Sequence, residues 1–241
     1  MRSWFASSAL VLSSTLCLLL MAPAPVHARG AGDGLACLRA ANLTCAQKIR
    51  DQLNSRAPDD ADTLRLAAKT AFHEGDYDGA LQIWQKLEER GLADDPYTPY
   101  AATAAAATGL VEATAEGVML RHDSGVDTIL ADEALETLVA ARTTYDTLFG
   151  GGPDHDIVLD IFPTASRFTA ASGLPPEAVQ TTGVIALSKW NRLLLTSPRA
   201  LARGYNWKDT VSHEYIHLAV SWRSGDRVPV WLQEGLSLIH I

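Results

Sequence analysis

The chain has 241 residues, with 20 Lys+Arg against 28 Asp+Glu, a net charge of −8, 47% hydrophobic and 20% charged residues. These proportions exclude a disordered chain, a collagen and a disulfide-dense miniprotein, and they supply apolar material for one or two cores. The acidic balance, with no run of Lys/Arg, argues against a nucleic-acid or anionic-membrane surface, so partners are expected among proteins and small molecules.

The N-terminus reads as a secretory signal. Arg2 precedes an apolar stretch over residues 9–21, and Pro23-Ala24-Pro25-Val26-His27-Ala28 ends in the small residues of a cleavage site. Cleavage after Ala28 is expected. The apolar stretch is shorter than the roughly 20 residues of a spanning helix, and no later segment approaches that length. The mature chain is therefore expected to be secreted or periplasmic, without a membrane span. Cys17 lies inside the apolar run and lacks the preceding small residues that lipid attachment requires. Cys37 and Cys45 remain, in a compartment that allows disulfides. Eight residues apart on one unbroken helix they would be separated by about 12 Å, beyond the roughly 7 Å limit for a bridge. A Cys37–Cys45 disulfide thus requires a turn near Ala41-Asn42-Leu43-Thr44; the alternative is two buried free thiols.

Residues 59–120 read as helical. Leu64, Leu66, Ala67, Ala68, Ala71 and Phe72 recur at three- and four-residue spacing, Gly75-Asp76-Tyr77 interrupts, and Ala80, Leu81, Ile83, Trp84 and Leu87 resume the pattern. The 64–91 stretch resembles a tetratricopeptide repeat, with Gly75 in the turn, Tyr77 over it and Ala80 allowing close helix approach. A further Ala-rich helix is expected from Pro96 to Leu110. The resemblance implies a surface for a protein partner; an ordinary helical hairpin packed on the next domain is the other reading.

After His122-Asp123-Ser124-Gly125 the texture changes. Residues 128–148 predict a long amphipathic helix ended by Gly150-Gly151-Gly152-Pro153. Residues 156–162 predict a strand closed by Pro163. Residues 184–187 and 192–196 predict a β-hairpin joined by Ser188-Lys189-Trp190-Asn191. The expected fold class is α+β: a helical region over 29–122, then a second domain over 123–241.

His213-Glu214-Tyr215-Ile216-His217 carries the chemistry. On a helix both imidazoles share a face and can reach one ion, while Glu214 reaches water beside it. Asp209 and Thr210 are candidate caps. A catalytic zinc site needs a third protein ligand and an open fourth position. A third His at metzincin spacing is absent, since Val220 and Arg223 occupy the required positions. Pro229-Val230-Trp231-Leu232-Gln233-Glu234-Gly235 predicts a returning helix that brings Glu234 over the histidines, with Gln233 on a different face; Asp226 is the remaining candidate.

These two strings, with the Gly204-Tyr205-Asn206-Trp207-Lys208 lead-in and the Leu195-Thr196-Ser197-Pro198 hairpin end, resemble the gluzincin branch of the zincin metallopeptidases. They are most similar to the bacterial peptidase MA-like proteins that often carry tetratricopeptide repeats. The resemblance implies a small mixed sheet over an active-site helix and a zinc-dependent endopeptidase acting on peptide or protein substrates. It implies Zn²⁺ held by His213, His217 and Glu234, with Glu214 as general base. The Gly-x-Met-Glu-Asn string of M1 aminopeptidases is absent, which argues against exopeptidase activity. The family continues beyond the glutamate helix into a further helical lobe, so the zincin-like domain is expected to be incomplete at Ile241; His240 as a fourth ligand would close the site. The rival reading is a non-catalytic envelope scaffold with a structural zinc site. Finally, Val184, Ile185 and Ala186 are expected to be the free sheet edge that receives substrate as an added strand.

Overall fold

Asn42 starts the second helix of the chain and thereby brings two cysteines together. In the computed structural model, which describes residues 30–93 and 98–240, α1 (Ala31–Arg39) ends in a turn with Ala41 at φ 55°, and the Asn42 side chain accepts from the Cys45 N–H to cap α2 (Leu43–Asn54). The Cα atoms of Cys37 and Cys45 lie 5.8 Å apart and the two are joined by a disulfide. The expected signal, residues 1–28, lies outside the described residues. No described helix is long and apolar enough to cross a membrane.

α3 (Ala61–Glu74) and α4 (Tyr77–Glu89) form the expected hairpin. Asp60 caps the first, Asp76 caps the second, and Gly75 between them sits at φ 88°, where a side chain would be strained and would approach the Arg121 guanidinium. α5 (Thr98–Ala107) follows. The helical expectation fails after that: residues 111–122 form β1 (Val111–Ala115) and β2 (Val118–His122), an antiparallel pair. Val118 and Leu120 alternate at period two along β2, and Gly117 at φ 79° allows the tight turn.

A 3-10 turn (Val126–Leu130) leads into α6 (Ala131–Phe149), then β3 (Ile157–Phe162). Two short helices, α7 (Ala165–Ser172) and α8 (Pro176–Thr182), occupy a stretch for which the sequence reading names no element. The hairpin is displaced from its expected bounds. β4 is Ala186–Lys189, β5 is Arg192–Thr196, and the connection is the two residues Trp190 and Asn191, at φ 54° and 59°. Helix α9 (Trp207–Ser224) runs four residues into the expected loop before Gly225 ends it, and α10 (Val230–His240) follows Pro229.

The strands make one mixed sheet in the order β1-β2-β3-β5-β4, with β2, β3 and β5 parallel and the two outer strands antiparallel to their neighbours. The molecule is α+β. A boundary at 122/123 would cut this sheet, because Leu120 on β2 pairs with Leu159 on β3. Alternation distributes the strands between two cores. Val118, Leu120, Ile157, Leu159, Leu193 and Leu195 pack against α6 and α9. Phe162 and Leu194 face the other way, into Phe72, Trp84 and Phe168 of the helical layer.

That second face also carries charge. Arg121, Asp160 and Arg192 project from three adjacent strands beneath the α3–α4 turn. Arg192 donates to the Phe72 carbonyl and to the Tyr77 hydroxyl, Tyr77 donates to Asp160 Oδ2, and Arg121 donates to the Gly75 carbonyl. Asp160 and Arg192 are fully buried, 3.9 Å apart. Their charges exchange lost hydration for each other and for the exposed carbonyls of a helix end. The hairpin tip completes the attachment: the Trp190 ring centroid lies 5.4 Å from Phe72 and 4.9 Å from Tyr100.

Candidate metal centre

Helix α9 divides its residues between core and cleft. Val211, Tyr215, Ile216, Leu218 and Ala219 are buried against the sheet and α6, and the Tyr215 hydroxyl donates to Asp146 at 2.5 Å. That orientation turns His213 and His217 toward α10. The helix begins after Asn206, whose amide donates to Asp209 in the first turn; neither Asp209 nor Thr210 is the cap.

His213 Nε2 lies 3.0 Å from His217 Nε2, and Glu234 Oε2 lies 3.5 and 3.6 Å from the two nitrogens. A tetrahedral ion with bonds of about 2.0–2.1 Å has donor–donor edges of about 3.3 Å, so two imidazoles and one carboxylate at these spacings fit a zinc-like ion. Among the described residues these three are the group whose ligand atoms converge within 4.8 Å. Asp226 is outside it and accepts from Ser221 at 3.2 Å. The side chain of His240 is outside the description. The Glu234 side chain is 50% exposed, which leaves the open side of the triad toward solvent. Burial, then the neighbouring His217, lower the pKa of His213, favouring the neutral ligand form.

Glu214 is 7% exposed, beneath β4. Burial first and the Glu234 charge second push its carboxyl up to about 8, while a backbone N–H from Ser188 opposes this by hydrogen-bonding the carboxylate. A divalent cation beside it acts in the same direction as that N–H. Tyr205, also in the cleft, donates its hydroxyl to the Thr196 carbonyl; burial and the Glu214 charge raise its pKa.

Two residues take roles the sequence reading misses. Gln233, expected on a different face, is buried; its Oε1 lies 3.4 Å from His217 Nδ1 and its Nε2 donates to the Val228 carbonyl at 2.9 Å. An acceptor there holds the proton on Nδ1 and leaves Nε2 free to ligate. The amide next to Glu234 in sequence is the available signal, and the packing of α10 on α9 makes it count. Ser188 contributes only its backbone, which no side-chain pattern reveals.

The edge strand lies as expected at the cleft but with different bounds. Val184 and Ile185 precede β4, and the Ile185 carbonyl accepts from the Thr196 N–H at 2.8 Å, so the Ile185 backbone faces β5. Pairing alternates, so Ala186 and Ser188 turn their backbone groups outward. Ser188 meets Glu214, leaving Ala186 as the strand residue open to the cleft. That cleft, of about 460 Å³, is bounded by Gly183, Val184, Ala186, Tyr205, His213 and Glu214. Comparison with protein-family models, with curated proteins and with solved structures finds no match for this chain.

Proposed function

We propose that the chain is a secreted or periplasmic zinc-dependent endopeptidase of gluzincin type, with a zincin-like catalytic domain and a tetratricopeptide-like helical layer. The observation that carries this reading is the three-donor triad at 3.0–3.6 Å spacing, one member of which, His213, lines a cleft together with Glu214 and a strand edge. His213, His217 and Glu234 would hold Zn²⁺. A bound Zn²⁺ supplies Lewis-acid polarisation of the scissile carbonyl and lowers the pKa of the attacking water.

This chain's own residues do the rest. Glu214 takes the water proton on its carboxylate and passes it to the leaving amine. The Ser188 N–H holds that carboxylate in place. Gln233 keeps His217 in the ligating tautomer. Ala186 offers an outward N–H and C=O to an extended peptide, fixing its pose without reading side chains. Three protein ligands with one open side favour a catalytic site over a closed structural one. The scaffold reading is weakened by the helical layer's own packing: Phe72, Tyr77 and Trp84 are spent on the sheet and α5.

The test is Glu214→Gln in the zinc-loaded chain. Chelator-sensitive cleavage of an unstructured protein should fall by about 10²–10⁴-fold, the range of general-base catalysis, with zinc retained. Equal cleavage by both proteins overturns the assignment of the base.

A further inference from the structure

A second cavity adjoins the metal cleft. It has a volume of about 950 Å³ and lies between α5, α7, α8 and the segment just before β4. Gly183, Val184 and Ile185 border both spaces, so the two are continuous along one stretch of backbone. Of the 17 described residues that line it none is charged, in a chain where 20% are. Phe168, Leu174 and Val179 form its apolar floor, Ala102 and Ala170 keep its walls low, and Pro175-Pro176 fix the loop that closes one side. An open, uncharged apolar space of this size beside a cleft that holds His213 and Glu214 is the form of a recognition site for apolar side chains.

We propose that this groove receives an apolar stretch of the peptide substrate, two to four residues to the C-terminal side of the bond presented to His213, Glu214 and His217. The inference rests on the endopeptidase reading and names its substrate class: unstructured polypeptide with bulky apolar residues at those positions. Distance follows from the strand, and direction from antiparallel addition, the commoner pairing. A peptide added antiparallel to β4 runs opposite to it, so its C-terminal side passes Ile185, Val184 and Gly183. From Ala186 to Gly183 is three residues, about 10 Å at about 3.3 Å each, which places the groove two or more residues beyond the bond at the metal centre. Side chains alternate along the added strand, so the second and fourth residues point to one side and the third to the other.

The experiment uses the full zinc-loaded chain and three labelled ten-residue peptides. One carries Leu-Phe-Leu at the second to fourth positions after the scissile bond, one carries Ser-Gln-Ser there, and one carries Leu-Phe-Leu on the N-terminal side. Binding is read by fluorescence anisotropy on the Glu214→Gln protein. The first peptide should bind at least tenfold tighter than the other two, within the range for placing apolar groups in a fitted pocket. Ala170→Trp, at an exposed position on α7, and Ala102→Glu should each reduce that preference below about twofold. Equal binding of the first two peptides, equal binding of the first and third, or a preference that survives both groove variants overturns the proposal. Cleavage of the same peptides by the unmodified chain separates the two readings. Binding preference without cleavage leaves the groove standing and removes the endopeptidase; cleavage without preference does the reverse.

Discussion

The two ends of the β3–β5–β4 half of the sheet are built on opposite terms. Toward the helical layer, Asp160 and Arg192 are fully buried, bonded to Tyr77 and Phe72, and roofed by aromatic rings. Toward α10, polar groups converge with one side open, and apolar residues stand in solvent: Trp231 is 72% exposed and Ile239 76%. The first arrangement holds geometry. The second leaves ligand atoms and strand backbone available, which a site must do and a core must not. The hairpin links them, because Trp190 at its tip is fixed in the helical layer while Ala186 lines the cleft at the candidate metal centre and the Ser188 backbone meets Glu214.

The strongest way to break this comparison is at the clamp. Arg192→Met removes the nearer of the two cations that face the buried Asp160 carboxylate, leaving Arg121, and should cost about 3–5 kcal/mol of unfolding free energy in a urea titration. Adding Asp160→Leu should restore most of it, since the penalty lies in the unpaired charge. A single variant as stable as the parent would show that the buried pair holds nothing.

Gln233→Leu probes the other end. It keeps volume near the original but removes the acceptor from His217 Nδ1, and zinc affinity should weaken about 10–100-fold while the urea midpoint holds. Unchanged zinc affinity would return Gln233 to the role of a bystander.

A pH dependence should belong to the clamped end. Burial chiefly, and then the Arg192 charge, push His73 down to about 3; Lys69 and His155 act the same way and a backbone hydrogen bond with Trp190 opposes them. The imidazole is therefore neutral when folded but takes up a proton below about 6.5 when unfolded. Stability is fully present above that value and is lost as pH falls toward 3. The loss is about 1.4 kcal/mol per pH unit, or about 2 kcal/mol between pH 7.5 and pH 5. His73→Gln should flatten that part of the stability–pH curve; an unaltered slope assigns it elsewhere.

The smallest effect is expected at the cleft edge. Ala186→Pro removes one outward N–H, worth about 0.5–1.5 kcal/mol, and should raise KM about three- to tenfold with kcat and zinc content little changed. Ile185→Pro touches the segment paired with β5 and should instead destabilise the sheet; equal KM effects at both positions would remove the distinction between inward and outward backbone.

Much of the helical architecture was legible because its signals are local. Asp60, Gly75 and Asp76 mark helix ends by their own side-chain or backbone chemistry, and the apolar spacing of α3, α4 and α6 is that of a helix with one buried face. The two histidines of the candidate metal triad were legible for the same reason: four-residue spacing puts His213 and His217 on one face whatever surrounds the helix. The β1–β2 hairpin was not, because β2 is held as a strand by pairing with β3 and β1 in turn by pairing with β2. The displaced hairpin turn has a similar cause. Trp190 and Asn191 adopt left-handed conformations, which a bulky Trp disfavours, and the ring's seat among Phe72 and Tyr100 offsets that cost.

The sequence alone determined the chemical types at the candidate site and the helix that carries the histidines, and it made a turn near Asn42 the condition for Cys37 to meet Cys45. Those depend on neighbours within a few residues, where chain geometry leaves little choice. Tertiary structure alone decided that Glu234 closes on the histidines, that Gln233 supports one of them, that Ser188 holds Glu214, and that Arg121, Asp160 and Arg192 pin the helical layer to the sheet. Each of these joins groups on different elements, and their distances are set by the packing of α9, α10 and the strands rather than by any spacing along the chain.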